Sequence, residues 1–453
     1  MSLKRFAATF LFLLVSLSAH ATLRYVATTG NDTTGDGSIN NPWATINKAA
    51  LNALPGDTIY VRGGVYFQQV GIWTDGTSTA RVTYQPYPNE HVIIDATGQV
   101  DTSGNPTNAV TVGGDYVDWI GFEIRNAPYI GLVGWGVHDC RFLNNVVHDS
   151  FRGGIWLGHD NFGRNYNNIV EGNTVRHNVL ENVARNWNGG WGQSIGIFRG
   201  DNITVRYNTV YRNWGEGIVI GTTDNSKVYG NEVFDNYPCG IYISQAQTTT
   251  VDGNLVYSTG DTNYYRFNDA PMGIILANED AVTTDLNPLN GIDVTNNVVI
   301  RARWGLGFWK DSEELEVNSM TNCRFANNTV YNATLHALHF DADTNHSGVI
   351  VENNIFNLPT GSTASLAYVP ATAPGITYRN NNWSANPGTP VYSSTTDVLG
   401  AAGFVRPGGL TAEDYKLLST SICINKGRTL TYVTKDYWQK SRTSTYDIGV
   451  HEY

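Results

Sequence analysis

Gly217-Ile218-Val219-Ile220, Asn231-Glu232-Val233, Gly240-Ile241-Tyr242-Ile243 and Asn254-Leu255-Val256 are two phrases, each written twice with a period of 23 residues. Within one period, residues 217–221 alternate in side, as do 226–230 and 232–235, with Asn231 between the last two. Strands of four or five residues with period two, separated by turns, do not fit a helical pattern. Three strands in 23 residues predict one coil of a right-handed parallel β-helix, a solenoid whose coils stack on a shared core. A β-propeller blade would need four strands over ~40–45 residues. Outward from this stretch, the Asn phrase recurs at Asn145, Asn173, Asn208, Asn297, Asn328, Asn354 and Asn381, at intervals of 23 to 43 residues. The Gly-Ile-x-Ile phrase recurs with variation from Gly131, Gly154, Ser194, Gly273, Gly305 and Ala337. The longer intervals hold loops. One Asn per coil fits a tight bend, because Asn tolerates the left-handed backbone and its amide can bond to the Asn of the next coil. The expected fold class is all-β.

The chain carries 29 Lys+Arg against 40 Asp+Glu, a formal net charge of −11. That balance argues against a nucleic-acid partner, which requires a positive footprint. Charged residues are scarce at 15%, while 25 Tyr and 12 Trp leave aromatics available for a surface. Lys4 and Arg5, the apolar run Phe6 to Leu17 and the small-x-small site Ala19-His20-Ala21 predict a signal peptide over 1–21, cleaved after Ala21. The run is shorter than the ~20 residues that span a bilayer, and no later stretch is apolar enough to do so. The expected product is a secreted or periplasmic monomer. Cys140 and Cys323 each lie five residues before a ladder Asn, six coils apart. At ~4.8 Å per coil that is about 29 Å, beyond disulfide reach. Cys239 and Cys423 have no evident partner, so all four thiols are expected free.

Tyr25-Val26-Ala27-Thr28-Thr29-Gly30-Asn31-Asp32, Pro42-Trp43-Ala44-Thr45-Ile46 and Pro55-Gly56-Asp57-Thr58-Ile59-Tyr60-Val61 resemble the opening of many secreted β-helix proteins. These include family 9 pectate lyases and other carbohydrate-active members of the pectate-lyase-like superfamily. The closing Asp414-Tyr415-Lys416-Leu417 and Tyr446-Asp447-Ile448-Gly449-Val450-His451-Glu452-Tyr453 are similar to the end of related bacterial proteins. The resemblance implies a polysaccharide substrate, and specifies scaffold more than chemistry. Ile46, Ala49, Ala50, Ala53 and Leu54 at helical spacing, stopped by Pro55-Gly56, predict a capping helix over 43–54. The helix belongs to a β-helix domain over 22–384, followed by a C-terminal capping segment over 385–453.

Alternation assigns the faces of the Gly-Ile-x-Ile strand. The Ile positions stack inward. The third position points outward, as Val133, Trp156, Gly196, Val219, Tyr242, Ile275, Gly307 and His339. So does the fifth, as Trp135, Gly158, Phe198, Gly221, Ser244, Ala277, Trp309 and Asp341. Rings on a groove suit the apolar faces of sugars; the alternative is that loops bury them as a second core. The insertions 178–193 and 259–272 are placed to wall the groove, and long loops are usually functional. The substrate-binding candidates are Trp156, Tyr242, Trp309, Trp187, Trp191 and His159. For β-elimination on a uronate, a base removes the C5 proton while cations neutralise the carboxylate. The catalytic candidates are Lys310, His339, Arg199 and Arg303, with Arg303 expected to depress the Lys310 pKa. Asn278, Glu279, Asp280, Asp341 and Asp343 are oxygen donors that could hold calcium, a hard cation. A polysaccharide lyase is the leading expectation. A glycoside hydrolase, needing two carboxylates ~5–9.5 Å apart that Glu216, Asp269, Asp341 and Asp343 could supply with no pair singled out, and a non-catalytic carbohydrate-binding protein are the alternatives.

Overall fold

The computed structural model describes residues 22–186, 189–278, 288–310, 319–341, 345–370 and 375–453. The expected signal peptide lies outside the described residues. Three parallel sheets run side by side along the chain. The leading sheet, before each ladder Asn, has 13 strands from Leu23–Val26 to Ile376–Arg379. The following sheet, after it, has 13 from Gly64–Phe67 to Val398–Leu399. The groove sheet, built from the Gly-Ile-x-Ile phrase, has 11 from Val70–Ile72 to Ser365–Tyr368. Each coil visits the three in turn, so every strand pairs with its counterparts one coil away rather than with its sequence neighbour.

The inward column is as the alternation requires. Ile218, Ile241 and Ile274 are in register, as are Ile220, Ile243 and Leu276. All six are fully buried in one core that extends from Val26 to Val391.

The nine ladder asparagines are buried and bonded in series. The Oδ1 of Asn231 accepts the backbone N–H and the Nδ2 of Asn208, both at 3.0 Å. The Nδ2 of Asn231 donates onward to Asn254 Oδ1 at 2.9 Å and across to the Val205 carbonyl at 3.0 Å. The column starts at the Phe122 N–H, which donates to Asn145, and ends where the Asn381 N–H donates to Asp397. The bend itself differs from the expectation. The left-handed residue is the one before each ladder Asn, namely Asn144, Gly172, Tyr207, Gly230, Gly253, Asn296, Asn327, Asn353 and Asn380, with φ between 51° and 67°. The ladder Asn supplies the hydrogen bonds and its predecessor supplies the turn. A second, shorter ladder, Asn178–Asn213–Asn236, lies between the following and groove sheets.

The helix is shorter than read from sequence, Ile46–Asn52, because Thr45 caps it by accepting the Lys48 N–H. Ile46, Ala49 and Ala50 face the core. Val398–Leu399 adds the last rung to the following sheet. From residue 402, however, the C-terminal segment does not sit over the end of the stack. It runs back along the outer face of the following sheet. There Ala402, Phe404, Tyr415, Leu417, Ile448 and Val450 pack on Leu255, Val298, Ile300 and Ile355. The bend residues of four successive coils bond to it, the last being Asn380, whose Nδ2 donates to the Lys426 carbonyl at 3.2 Å. The fully buried Arg442 donates to Asn296 Oδ1 at 2.9 Å. Asn327 Nδ2 donates to the Asp447 and Gly449 carbonyls, and Asn353 Nδ2 to the Arg428 carbonyl.

All four cysteines are free and buried. Burial pushes the thiols of Cys140, Cys323 and Cys423 up to about 12, which leaves them unreactive at neutral pH.

Candidate active-site groove

The outward columns of the groove sheet keep the register read from sequence. Trp156 pairs with Gly196, Val219 with Tyr242, Tyr242 with Ile275, and Gly307 with His339. Glycines allow rings to lie flat on the sheet. A Cβ on Gly158 would fall 2.6 Å from the Trp156 ring, and one on Gly221 would fall 2.6 Å from Phe198. Trp135 and Trp156 stack at 5.7 Å, and Trp156 and Phe198 at 6.3 Å.

Four hollows join end to end above this sheet. The first, ≈560 Å³, shares Asn108 and Tyr129 with a second of ≈250 Å³. The second shares Trp156 and Gln193 with a third of ≈450 Å³. The third shares Gln193, Glu216 and Tyr242 with a fourth of ≈630 Å³. The groove crosses the nine strands from Val70–Ile72 to Trp304–Lys310. At ~4.8 Å per strand that is about 38 Å.

The two long loops meet over the fourth hollow. Arg185 donates to the Thr262 carbonyl at 2.8 Å. Between them lie Glu216, Arg266, Arg303, Trp191 and Trp309. The Arg266 guanidinium sits 4.8 Å from the Trp191 ring and 4.7 Å from Phe267. Burial lowers its pKa, and the charge of Arg303 pushes the same way. Arg303 is held by Asp269 at 3.3 Å, and Asp269 in turn accepts the Thr334 hydroxyl at 2.6 Å. Two guanidiniums, one of them paired with Asp269, thus line the same hollow as the Glu216 carboxylate. Sequence reading missed this grouping. Glu216 occupies the position before the Gly-Ile phrase, where it pairs with Gln193; strict alternation would turn it inward with Ile218, but the alternation breaks at Gly217, whose Cβ position faces Val233, and Glu216 lines the hollow instead. Arg266 comes from a loop.

Of the expected residues, Trp156, His159, Arg199 and Tyr242 line the third hollow, and Trp191, Arg303 and Trp309 the fourth. Tyr242 is nonetheless buried. With Val219, Ile275 and Ala277 it forms a small apolar cluster outside the main core, so the middle of the floor is packed while the Trp135–Trp156 end stays open. Lys310 lines none of these hollows. Arg303 precedes the strand Trp304–Lys310 and Lys310 ends it, so their backbones are about 23 Å apart and Arg303 cannot tune the lysine. His339 is 6% exposed and sandwiched between the Trp304 ring at 3.5 Å and the Tyr368 ring at 4.9 Å. Its Nε2 lies 2.9 Å from Asp341 Oδ1. This packing removes it from the open floor where a base must work. Trp187, Glu279, Asp280 and Asp343 lie outside the described residues.

The described metal-ligand candidates do not fit a ready cation site. Asn278 Oδ1 accepts the Leu289 N–H, and its Nδ2 donates to the Ser319 carbonyl, both at 3.0 Å. Asp341 faces His339 with one oxygen and the Lys310 N–H with the other. Among the described residues no three His, Cys, Asp or Glu side chains gather as a metal cluster.

Burial lowers His336 from 6.5 to about 4, with the charges of His339 and Arg303 adding to the effect. Between pH 6.5 and 4 the unfolded chain therefore holds a proton that the native chain does not. This stability is fully present above pH 6.5 and is lost as the pH falls toward 4. Urea midpoints measured across that window should decline less steeply for His336→Asn than for the native protein.

A family profile described as Pel9A-like, right-handed beta helix region, matches residues 24–186, and one described as right-handed beta helix region matches 108–317. The curated pectate lyase PEL9 of Emericella nidulans is 31% identical over 122 residues, covering 26% of this chain and 27% of that relative. Among solved structures, XylC in complex with xylose aligns with a TM-score of 0.64 at 14% identity, over 95% of this chain and 98% of that one. Pectate lyase Pel9A aligns at 0.54 and 16% identity, over 96% and 97%. The GH136 lacto-N-biosidase from Eubacterium ramulus aligns at 0.53 and 14% identity, over 79% and 67%. At such identities the structural likeness is one of fold. No helix among the described residues is long and apolar enough to cross a membrane. Three parallel sheets and a continuous asparagine ladder, with profile matches over 24–186 and 108–317, give one answer for the fold: the chain is a right-handed parallel β-helix.

Proposed function

We propose that this protein is a secreted polysaccharide lyase that cleaves a uronate-containing polymer by β-elimination. The observation that carries the reading is the grouping of Arg266, Arg303 and Glu216 in the last hollow of a groove floored with rings. The guanidiniums are suited to hold the uronate carboxylate and to stabilise the negative charge that builds on it as the C5 proton leaves. Glu216, which lines the same hollow as the two guanidiniums, is the group placed to accept that proton. The electron pair from the C5–H bond forms the C4–C5 double bond as the C4–oxygen bond breaks, and the departing oxygen takes a proton from water. A hydrolase is less well served, because Asp269, the other carboxylate near Glu216, is tied to Arg303 and to the Thr334 hydroxyl. Asp160 lines the same hollow as Glu216, but it lies beyond the opposite end of a strand two coils away. That places it on the order of 20 Å off, whereas paired hydrolytic carboxylates stand ~5–9.5 Å apart.

The test is ultraviolet absorbance of the product on polygalacturonate, alginate and rhamnogalacturonan, each with added calcium and with chelator, since a bound cation can substitute for an arginine at the carboxylate. Unsaturated product is expected from the native protein. Arg303→Ala and Glu216→Gln should each lower kcat roughly 10²–10³-fold with little change in Tm. Reducing ends without absorbance would make the protein a hydrolase. No product from any substrate would make it a binder.

A further inference from the structure

The groove changes character along its length. Its far end, the ≈560 Å³ hollow beside the capping helix, is lined by Trp73, Tyr129, Asn47, Gln69, Asn108 and Thr111 together with apolar and backbone groups, and no charged side chain lines it. Trp73 is 65% exposed, yet it is not loose. A Cβ on Gly113 would lie 2.2 Å from its ring, and one on Gly71 would lie 3.0 Å from its Nε1, so the indole rests flat on the backbone of two adjacent coils. Around it the amides are set. Asn47 accepts the Gly71 N–H and donates to the Gln69 carbonyl, and Asn108 donates to Thr111. An exposed ring held face-up, bordered by pre-oriented amides and continuous with the groove, has the chemistry of a site for an uncharged sugar, whose apolar face stacks and whose hydroxyls bond to amides.

We infer that Trp73 and Tyr129 form a distal subsite for a neutral sugar unit, five strands and about 24 Å from the Glu216 strand. Resting on the reading of the groove as a polysaccharide site, this makes the natural substrate a mixed polymer, with uronate at the arginines and neutral sugars at the far end.

Isothermal titration with neutral oligosaccharides tests the subsite independently of any cleavage; xylohexaose and a galactan hexamer are suitable probes. At least one should bind the native protein. Trp73→Ala should weaken that binding about tenfold, and Trp73→Tyr should restore most of it. Gly113→Ala, which keeps the indole but denies it its seat, should weaken binding as Trp73→Ala does. Binding that is absent, or unchanged in Trp73→Ala, overturns the subsite. A lyase assay that fails while neutral binding persists overturns the catalytic reading alone.

Discussion

Asn231→Ala is expected to lower the unfolding free energy by on the order of 5 kcal/mol. The substitution deletes an acceptor used by both the N–H and the Nδ2 of Asn208. It also deletes the donor to Val205 and one of the donors to Asn254. The site is 1% exposed, so water cannot replace what is lost. Each buried group left without a partner costs about 1–3 kcal/mol; the Asn208 N–H and one Nδ2 hydrogen lose theirs, the Val205 carbonyl loses a donor, and a side-chain cavity is left in the stack. Urea unfolding followed by circular dichroism measures the change. A loss under about 1 kcal/mol would show that the coils hold together through core and sheet alone.

Ile241→Asp should go further and abolish soluble expression. Ile241 lies at the centre of the inward column, in register with Ile218 and Ile274 and fully buried. A carboxylate there has no cation to meet and would be taken from water into hydrocarbon, a penalty of several kcal/mol even after its pKa rises. The same change at Val219, which faces the groove side of the same sheet, should be milder because loop atoms and water are closer. Expression yield and the soluble fraction report the outcome. A folded Ile241→Asp protein would mean that the side chain does not face the core.

Much of this molecule is written in period two. The inward Ile column, the register of the groove sheet and the asparagine ladder follow from spacing alone, because in a solenoid each coil repeats the environment of the one before. What period two does not carry is how far apart the ends of one strand lie. Lys310 and Arg303 are close in sequence, which suggested a coupled pair, but an extended strand separates its ends more than any other arrangement of seven residues. Nor does it announce which turn residue bends. The left-handed position is filled by Asn or Gly in eight of nine coils and by Tyr207 in the other, so an Asn there is easily confused with the ladder Asn that follows it, whereas the hydrogen-bonding position holds only Asn. The grouping of Glu216 with Arg266 and Arg303 joins a strand to a loop contributed from elsewhere in the stack, and contacts of that kind have no fixed interval. The C-terminal segment departs from the sequence reading only from residue 402, for a related reason; before that, Val391 is buried in the main core and Val398–Leu399 extends the stack. Once the repeat ends, nothing in the spacing says whether the chain continues along the axis or doubles back.

That doubling back has a mechanical consequence. In a stack whose coils touch only their immediate neighbours, an end can peel away one coil at a time. The segment from residue 402 onward acts as a tie-rod across the coils that carry Asn296, Asn327, Asn353 and Asn380. The last of these cannot detach without straining the bolts on the other three. Peeling is therefore opposed more firmly at this end than at the opposite one, where the capping helix packs on the core and Arg81 reaches two coils on, to the Asp139 carbonyl. The molecule acquires a direction: a looser end that carries Trp73, and a clamped end that includes the coil supplying Arg303. A long polymer lying in the groove would rest one part on a more compliant surface and present the other to a more rigid one.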